Sequence, residues 1–439
     1  MAKRIIYQAL PRLWGNGRFS DWDEPTFRHL RSLGVDYVWY TGVPRHATGR
    51  DFVKGNPGSP YAISDWRDVN PYLADDPDRR MQEFDALVAR THAAGFGVLI
   101  DYIPNHVAPD YRGPIRFFDW CDGDWTDTRK NDWSSPRTRA EMLEILRFWA
   151  SRGVDGFRCD MVELVPPDAL KALISAVKAD YPELLFVAEV YGKENYRAYL
   201  EEVGFDLLYD KSGLYDTLRA VCCSGASARG ITWNWQWLGD MQPRMLNFLE
   251  NHDEQRLASP EFLGSAAKGY AALACSLLFN TASFMLYFGQ EVGEDGFDGA
   301  DGRTSIFNWS DPPELRELYR SLHGTSRLAP EEAGVLARYR ELLTFAKRSA
   351  FAEGGTWDLT YCNENAPGYD PERHFAFVRF DAKEAWLVVC NFSDVPASVR
   401  LFLPPELRAT CPGLPESVPA AIPPFDAAVL PLTRPGLVD

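Results

Sequence analysis

The sequence predicts an α/β protein: a (β/α)8 TIM barrel with a short insertion after its third strand, followed by a C-terminal antiparallel β-sandwich. Three observations carry this. Strand-like and helix-like segments alternate eight times over about 300 residues, the count and rhythm of a barrel. Carboxylates and histidines gather just past the ends of several strand segments, where a barrel keeps its chemistry. From Thr356 onward, short apolar runs separated by turn residues and prolines replace the helical pattern. The chain has 439 residues, enough for one large and one smaller domain. The expected division is 1–350 for the barrel, with 107–137 as its insertion, and 351–439 for the sandwich.

The elements follow in order. Ile5–Leu10 reads as the first strand, and Asp23–Leu33 as a helix with proline in its first turn and Gly34 at its end. Val35–Tyr40 is the second strand. The stretch 42–75, rich in Gly, Pro and polar residues, reads as a long functional loop, with His46 as a solvated member of it. Asp76–Ala94 is amphipathic, with Met81, Phe84, Leu87, Val88 and Thr91 at helical spacing. Val98–Ile103 is the third strand, and a helix opening at Pro136 carries Met142, Ile145, Leu146 and Trp149. Strands four to eight are Gly156–Asp160, Leu184–Val190, Phe205–Asp210, Met245–Glu250 and Ser283–Phe288. A doubly wound open sheet is the competing fold, but its phosphate-binding glycine motif is missing from the first turn. In the sandwich, His374–Phe380, Ala385–Cys390, Ser398–Leu403 and Ala427–Leu432 are the strand candidates.

Composition narrows the class. Hydrophobic residues make up 46% and charged residues 25%, as in a soluble globular protein. A net charge of −16 argues against nucleic acid and anionic membrane as partners. No apolar run approaches the ~20 residues of a membrane span. The N-terminus opens like a strand, without a signal-peptide core, so a cytoplasmic protein is expected, with a trimmed secreted or periplasmic chain as the alternative. The eight cysteines show no zinc spacing, and several sit in apolar segments as buried thiols, which favours a reducing compartment. Oligomeric state leaves no mark on the sequence.

The chemistry collects at the strand ends. Strand four places Arg158 and Asp160 on one face by its period of two. A charged pair on a buried strand costs desolvation, so an aspartate held ionised by arginine for reaction explains it better than packing does. Strand three ends in Asp101, Asn105 and His106, strand five ends in Glu189, and strand seven runs into Glu250, His252 and Asp253. Like-charged carboxylates repel, so structure alone gains nothing from collecting them. A carboxyl pair split into one ionised and one protonated member is the apparatus of glycoside hydrolysis. Catalytic zinc is disfavoured: there is no His-x-His among only seven histidines. No Gly-x-Ser-x-Gly elbow supports a serine hydrolase.

Four short motifs stand in order on these strands: Asp101-Tyr-Ile-Pro-Asn-His106, Gly156-Phe-Arg-Cys-Asp160, Phe186-Val-Ala-Glu189 and Phe248-Leu-Glu-Asn-His-Asp253. With Phe288-Gly-Gln-Glu-Val-Gly293 and Asp301–Trp309, they resemble glycoside hydrolase family 13, the α-amylase family. The resemblance implies retaining attack on α-glucosidic bonds, most often α-1,4, in starch-like glucans or maltooligosaccharides. It implies Asp160 as nucleophile, Glu189 as general acid and base, and Asp253 as stabiliser of the transition state. Arg158 would keep Asp160 ionised and lower its pKa. His106 and His252 would bind sugar hydroxyls, and Tyr61 would stack on the sugar. Asn105 matches a family calcium ligand, so calcium is allowed but no cofactor is required.

The family often carries a Lys-His pair three and four residues past the nucleophile, where this chain has Glu163 and Leu164. That departure bears on contacts beyond the cleaved bond and on part of the family's calcium site. An α-glucosidase or α-glucan transglycosylase would use the same trio. A silent carbohydrate-binding scaffold or a metal-dependent hydrolase are readings from other classes, and the intact trio disfavours silence. Trp66, Trp120, Trp125 and Trp133 are candidate sugar platforms, and Trp233-Asn-Trp-Gln-Trp237 reads equally as a helix packed on the barrel.

Overall fold

A computed structural model describes residues 3–296 and 301–432. Met1 and Ala2 of the N-terminal reading, and residues 433–439 of the expected sandwich, lie outside the described residues. The strands up to the end of the barrel are β1 (Ile5–Ala9), β2 (Tyr37–Tyr40), β3 (Pro44–His46), β4 (Ile63–Val69), β5 (Gly97–Tyr102), β6 (His106–Val107), β7 (Arg129–Lys130), β8 (Gly156–Cys159), β9 (Leu185–Ala188), β10 (Leu207–Tyr209), β11 (Met245–Phe248) and β12 (Ser283–Tyr287). Eight of these close into a parallel barrel in the order β1-β12-β11-β10-β9-β8-β5-β2.

The local reasons are those of the sequence. The helix Glu24–Ser32 starts where the Asp23 side chain accepts from the Thr26 N–H, and Pro25 occupies its first turn. The helix Arg80–Ala93 buries Phe84, Leu87, Val88 and Thr91, a single stripe against the barrel. Gly156 opens β8 because a Cβ there would meet the Leu185 carbonyl at 2.3 Å. The barrel strands β1, β8, β9, β11 and β12 are buried along their whole length, so they read as near-continuous apolar runs rather than alternating ones.

The observed barrel ladders stop one or two residues short of most expected strand ends. Beyond β9 the chain leaves the sheet at Glu189, and beyond β5 it leaves before Asn105 and His106. Those residues therefore sit on the barrel's C-terminal rim. Two readings are corrected. The long loop 42–75 contains an antiparallel hairpin, β3 with β4, whose register shifts hide any regular alternation. His46 is buried in it rather than solvated, with Nε2 2.7 Å from the Tyr72 hydroxyl. Burial pushes its imidazole down to about 3.

After the helix Pro330–Ala346 come β13 (Gly355–Asp358), β14 (His374–Phe380), β15 (Ala385–Asn391), β16 (Ala397–Phe402), β17 (Ser417–Ile422) and β18 (Ala427–Pro431). They form an antiparallel sheet β13-β14-β15-β18 and a pair β16-β17. One face of β14 and β15 joins the barrel core through Phe375, Phe377 and Val388, with Phe279 and Phe375 ring centroids 4.7 Å apart. The other face, with Val378, Leu387 and Val389, packs on Val399, Leu401 and Ile422 of the smaller sheet. Among the described residues, no helix is long and apolar enough to cross a membrane.

Candidate active site

Arg158 is the centre of the rim. It is fully buried, and the register of β8 places it beside Asp101 on β5. Its Nη1 donates to Asp160 Oδ1 at 2.7 Å, and its Nη2 stands 2.9 Å from Glu189 Oε2. Nη2 lies off the hydrogen-bonding direction of that oxygen, so the pair is held by charge. Nε donates to the Tyr209 hydroxyl at 3.3 Å, and Asp101 Oδ1 lies 3.8 Å from Nη1. The rings of Trp39, Tyr61 and Tyr209 surround the guanidinium at 5.5–5.6 Å. One guanidinium thus spans Asp160 and Glu189.

The carboxyls are driven apart in acidity. Burial raises Glu189 to about 7, against the pull of Arg158. Burial also works against ionisation of Asp253, but His252 beside it and the charge of Arg158 outweigh that and hold it near 2. Asp253 opens toward solvent, with 41% of its side chain exposed. Asp160 corrects an expectation. Burial raises its carboxyl above the usual range and outweighs Arg158, which was expected to lower it.

The Glu189 carboxyl is gripped on both oxygens. Oε2 accepts from the Met161 N–H at 2.9 Å, and Oε1 accepts from the Tyr191 hydroxyl at 2.8 Å. Met161 reaches it by adopting a left-handed backbone, φ 43, strained for a residue with a side chain. Glu163 holds the segment that carries Tyr191, accepting from the N–H groups of Tyr191 and Gly192 and from the Asn195 amide.

The histidines are aimed by amides. Gln8, on β1, donates its amide N–H to His252 Nδ1 at 2.7 Å, which leaves Nε2 to donate to the Tyr61 hydroxyl at 2.6 Å, with Asp253 Oδ2 3.0 Å away. Tyr61 stacks on His252 with centroids 5.1 Å apart, and its hydroxyl reaches Asp101 at 3.2 Å. Asp101 also accepts from Trp39 Nε1 and the Gly42 N–H, so it braces the rim. The Asn105 amide faces His106 Nδ1 at 3.2 Å. His106 Nε2 is buried without a hydrogen-bond partner among the described residues. Burial pushes this imidazole down to about 4, so it is a neutral donor looking for an acceptor.

Tyr61, His106, Asp160, Glu189, His252 and Asp253 line one cleft of about 400 Å³, roofed by Ile306 and Phe307. Arg158 lies beneath it. Asn105 stands outside it, and its side-chain oxygen takes the ammonium of Lys130. The residues there do not fit a calcium ion, because a cation is already built in. Elsewhere, Glu294, Asp295 and Glu314 bring carboxylate oxygens within 4.8 Å of one another. Burial raises Glu294 to about 8, which suits a shared proton rather than a dianionic cage. A cleft of similar volume, about 410 Å³, lies between the helix Arg229–Leu238 and β13, lined by Trp235, Trp357 and Tyr361. It lacks the convergent carboxyls, which is why the rim cleft is the candidate site.

The family model described as "Alpha amylase, catalytic domain" matches residues 122–339, a span that holds the second to fourth motifs and five of the eight barrel strands. The matched span, just under half of the chain, is similar to the catalytic domain of the α-amylase family, glycoside hydrolase family 13, which the four motifs resemble. It is 25% identical over 429 residues to α-amylase MalA of Haloarcula japonica, covering 90% of this chain and 56% of that protein. It is 22% identical over 301 residues to α-amylase 3 of Dictyoglomus thermophilum, covering 60% of this chain and 58% of that one. The chain therefore spans under three fifths of the length of these relatives. In fold, it is similar to the crystal structure of an α-amylase from Lactobacillus plantarum, with a TM-score of 0.75, 21% identity, and coverage of 98% of this chain and 99% of that one.

Within this family framework, several neighbours of the cleft went unread in the sequence. Gln8 and Tyr191 each stand within two residues of an expected strand end or motif, where a polar side chain was a usable signal. Glu163 was noticed only as a departure from the family. Lys130 lies in the irregular insertion and gave no signal. Of the tryptophans, Trp125 lines the cleft, with its ring 5.6 Å from that of His106. Trp66 and Trp133 are core residues. Trp120 is half-exposed and stacked on Phe118. The Trp233–Trp237 run is helical: Trp235 packs against Phe279, and Trp233 and Trp237 face outward. Glu250, counted among the rim carboxylates, is turned away into a buried pair with Arg256 at 2.9 Å.

Proposed function

We propose that this chain is a retaining glycoside hydrolase acting on α-glucosidic bonds, most often α-1,4, in starch-like glucans or maltooligosaccharides. One observation carries the reading: a single buried guanidinium touches Asp160 and Glu189, while the site holds Glu189 near 7 and Asp253 near 2. Glu189 then keeps its proton in a large share of the molecules up to about pH 7 and is able to protonate the leaving oxygen. Asp160, oriented by Arg158, attacks the anomeric carbon and forms the glycosyl-enzyme. Glu189, now a carboxylate, takes a proton from the water that releases the sugar. Asp253 remains ionised through the cycle and faces the positive charge that develops on the ring. His106 Nε2 supplies a donor to a sugar hydroxyl, His252 holds Tyr61 and Asp253 in place at the cleavage site, and Tyr61 offers an apolar face. All eight cysteines are free thiols, which supports a reducing compartment.

The test is product analysis on maltoheptaose, with wild type beside Asp160→Asn. The expected result is release of short maltooligosaccharides by wild type alone, with the α-anomer appearing first in proton NMR. A β-anomer first would overturn retention, longer products would make the chain a transglycosylase, and no turnover of any α-glucoside would sink the substrate class.

A further inference from the structure

Lys130 lies on β7, directly across the ribbon from His106 on β6. Its ammonium donates to three oxygens: the Asn105 side chain, Asp122 Oδ2 at 3.0 Å, and the Leu164 backbone carbonyl at 3.0 Å. The three come from three separate segments: the end of the third barrel strand, the insertion, and the turn that follows Asp160. Each of the three ammonium protons has its own acceptor. An amide oxygen, a carboxylate and a backbone carbonyl are also the hard donors that calcium takes, but calcium needs them at about 2.3–2.6 Å. The 3.0 Å contacts are those of N–H···O bonds.

We infer that Lys130 is an internal cation doing the work of a structural calcium, so that this chain joins its insertion to its barrel without metal. The side chains are sheltered, 14% exposed for Lys130 and 23% for Asp122, so the attraction is only partly screened. The neighbouring Arg129 does not share the site, since it donates to the Thr126 and Thr128 carbonyls. The cation also reaches the cleft. The Asn105 amide nitrogen donates to Asp122 Oδ2 at 2.8 Å and faces His106 Nδ1, so the same cluster that holds Lys130 fixes which way His106 points. The departure at Leu164 is then harmless to the bridge, because it is the backbone carbonyl that serves.

The experiment is thermal unfolding of the full chain and of Lys130→Ala, each in millimolar EDTA, CaCl2 or MgCl2. Melting is read rather than hydrolysis, so the result stands apart from the proposed activity. Wild type is expected to melt at one temperature in all three. Lys130→Ala, which exposes three oxygens in a vacated cavity, is expected to melt lower in EDTA by roughly 4 °C or more, and to recover with CaCl2 but not with MgCl2. The inference is overturned if wild type melts lower in EDTA than in CaCl2, if Lys130→Ala melts with wild type in EDTA, or if CaCl2 restores nothing. Should the alanine variant not fold, Lys130→Gln carries the same comparison, and the wild-type response to EDTA is decisive by itself.

Discussion

Arg158 and Arg379 are both fully buried, and they behave in opposite ways. Arg379, on β14 at the joint between barrel and sheet, has no carboxylate partner among the described residues. It is saturated instead by backbone carbonyls, donating to Ala350 and Phe351 at 3.1 Å and to Gly354 at 2.9 Å. Burial pushes its guanidinium down to about 9. Arg158 is shared by three carboxylates, and burial there is opposed and outweighed by Glu189, so its pKa rises. Around Arg158 the negative charges exceed the positive one, and groups such as His106 Nε2 lack partners. A closed polar network is a clamp, and an open one awaits a ligand.

The largest expected effect separates the two networks. Asp160→Asn should lower kcat/KM on maltoheptaose by at least ~10⁴-fold with the fold intact by circular dichroism. Arg379→Met should leave the rate within about twofold. An equal loss in both would break the comparison.

Glu189→Gln should cost about 10²–10⁴-fold and abolish the alkaline limb of the pH profile, which in wild type should fall near pH 7 as the acid loses its proton. The same substitution has a stability signature. Folded Glu189 keeps its proton to about 7, against 4.5 for the ordinary carboxyl. The native state thus binds more protons between these values, and this contribution to stability is lost as pH rises through the window. Glutamine removes that penalty, so the variant should outlast wild type at pH 8 in urea by about 1–3 kcal/mol and show little gain at pH 4.

Next in size is Arg379→Met itself. Several buried carbonyls lose their donor, and unfolding in urea should show a loss of about 3 kcal/mol. A neutral result would mean that the joint does not depend on its arginine. The smallest effect sharpens the open network. Tyr191→Phe removes a hydroxyl that donates to the Glu189 carboxylate and favours its charged form. The alkaline limb of kcat/KM should therefore move to higher pH, whereas a merely structural tyrosine would leave it in place.

The sequence itself decided the local pattern. Eight apolar runs of strand length spaced by amphipathic helices allow few folds, because a parallel strand buried on both faces must be apolar along its length and a covering helix must be apolar on one stripe. The order of motifs at the strand ends was legible for the same reason: strand direction brings every C-terminal end to one rim. Tertiary structure decided what depends on proximity between distant segments. That Gln8 aims His252, that Tyr191 grips Glu189, and that Lys130 fills the place beside Asn105 are facts of three-dimensional adjacency with no sequence period. The same holds for the sign of the Asp160 shift. A two-residue spacing places Arg158 beside it, but desolvation comes from the whole rim closing over both, and that burial outweighs the single neighbouring charge.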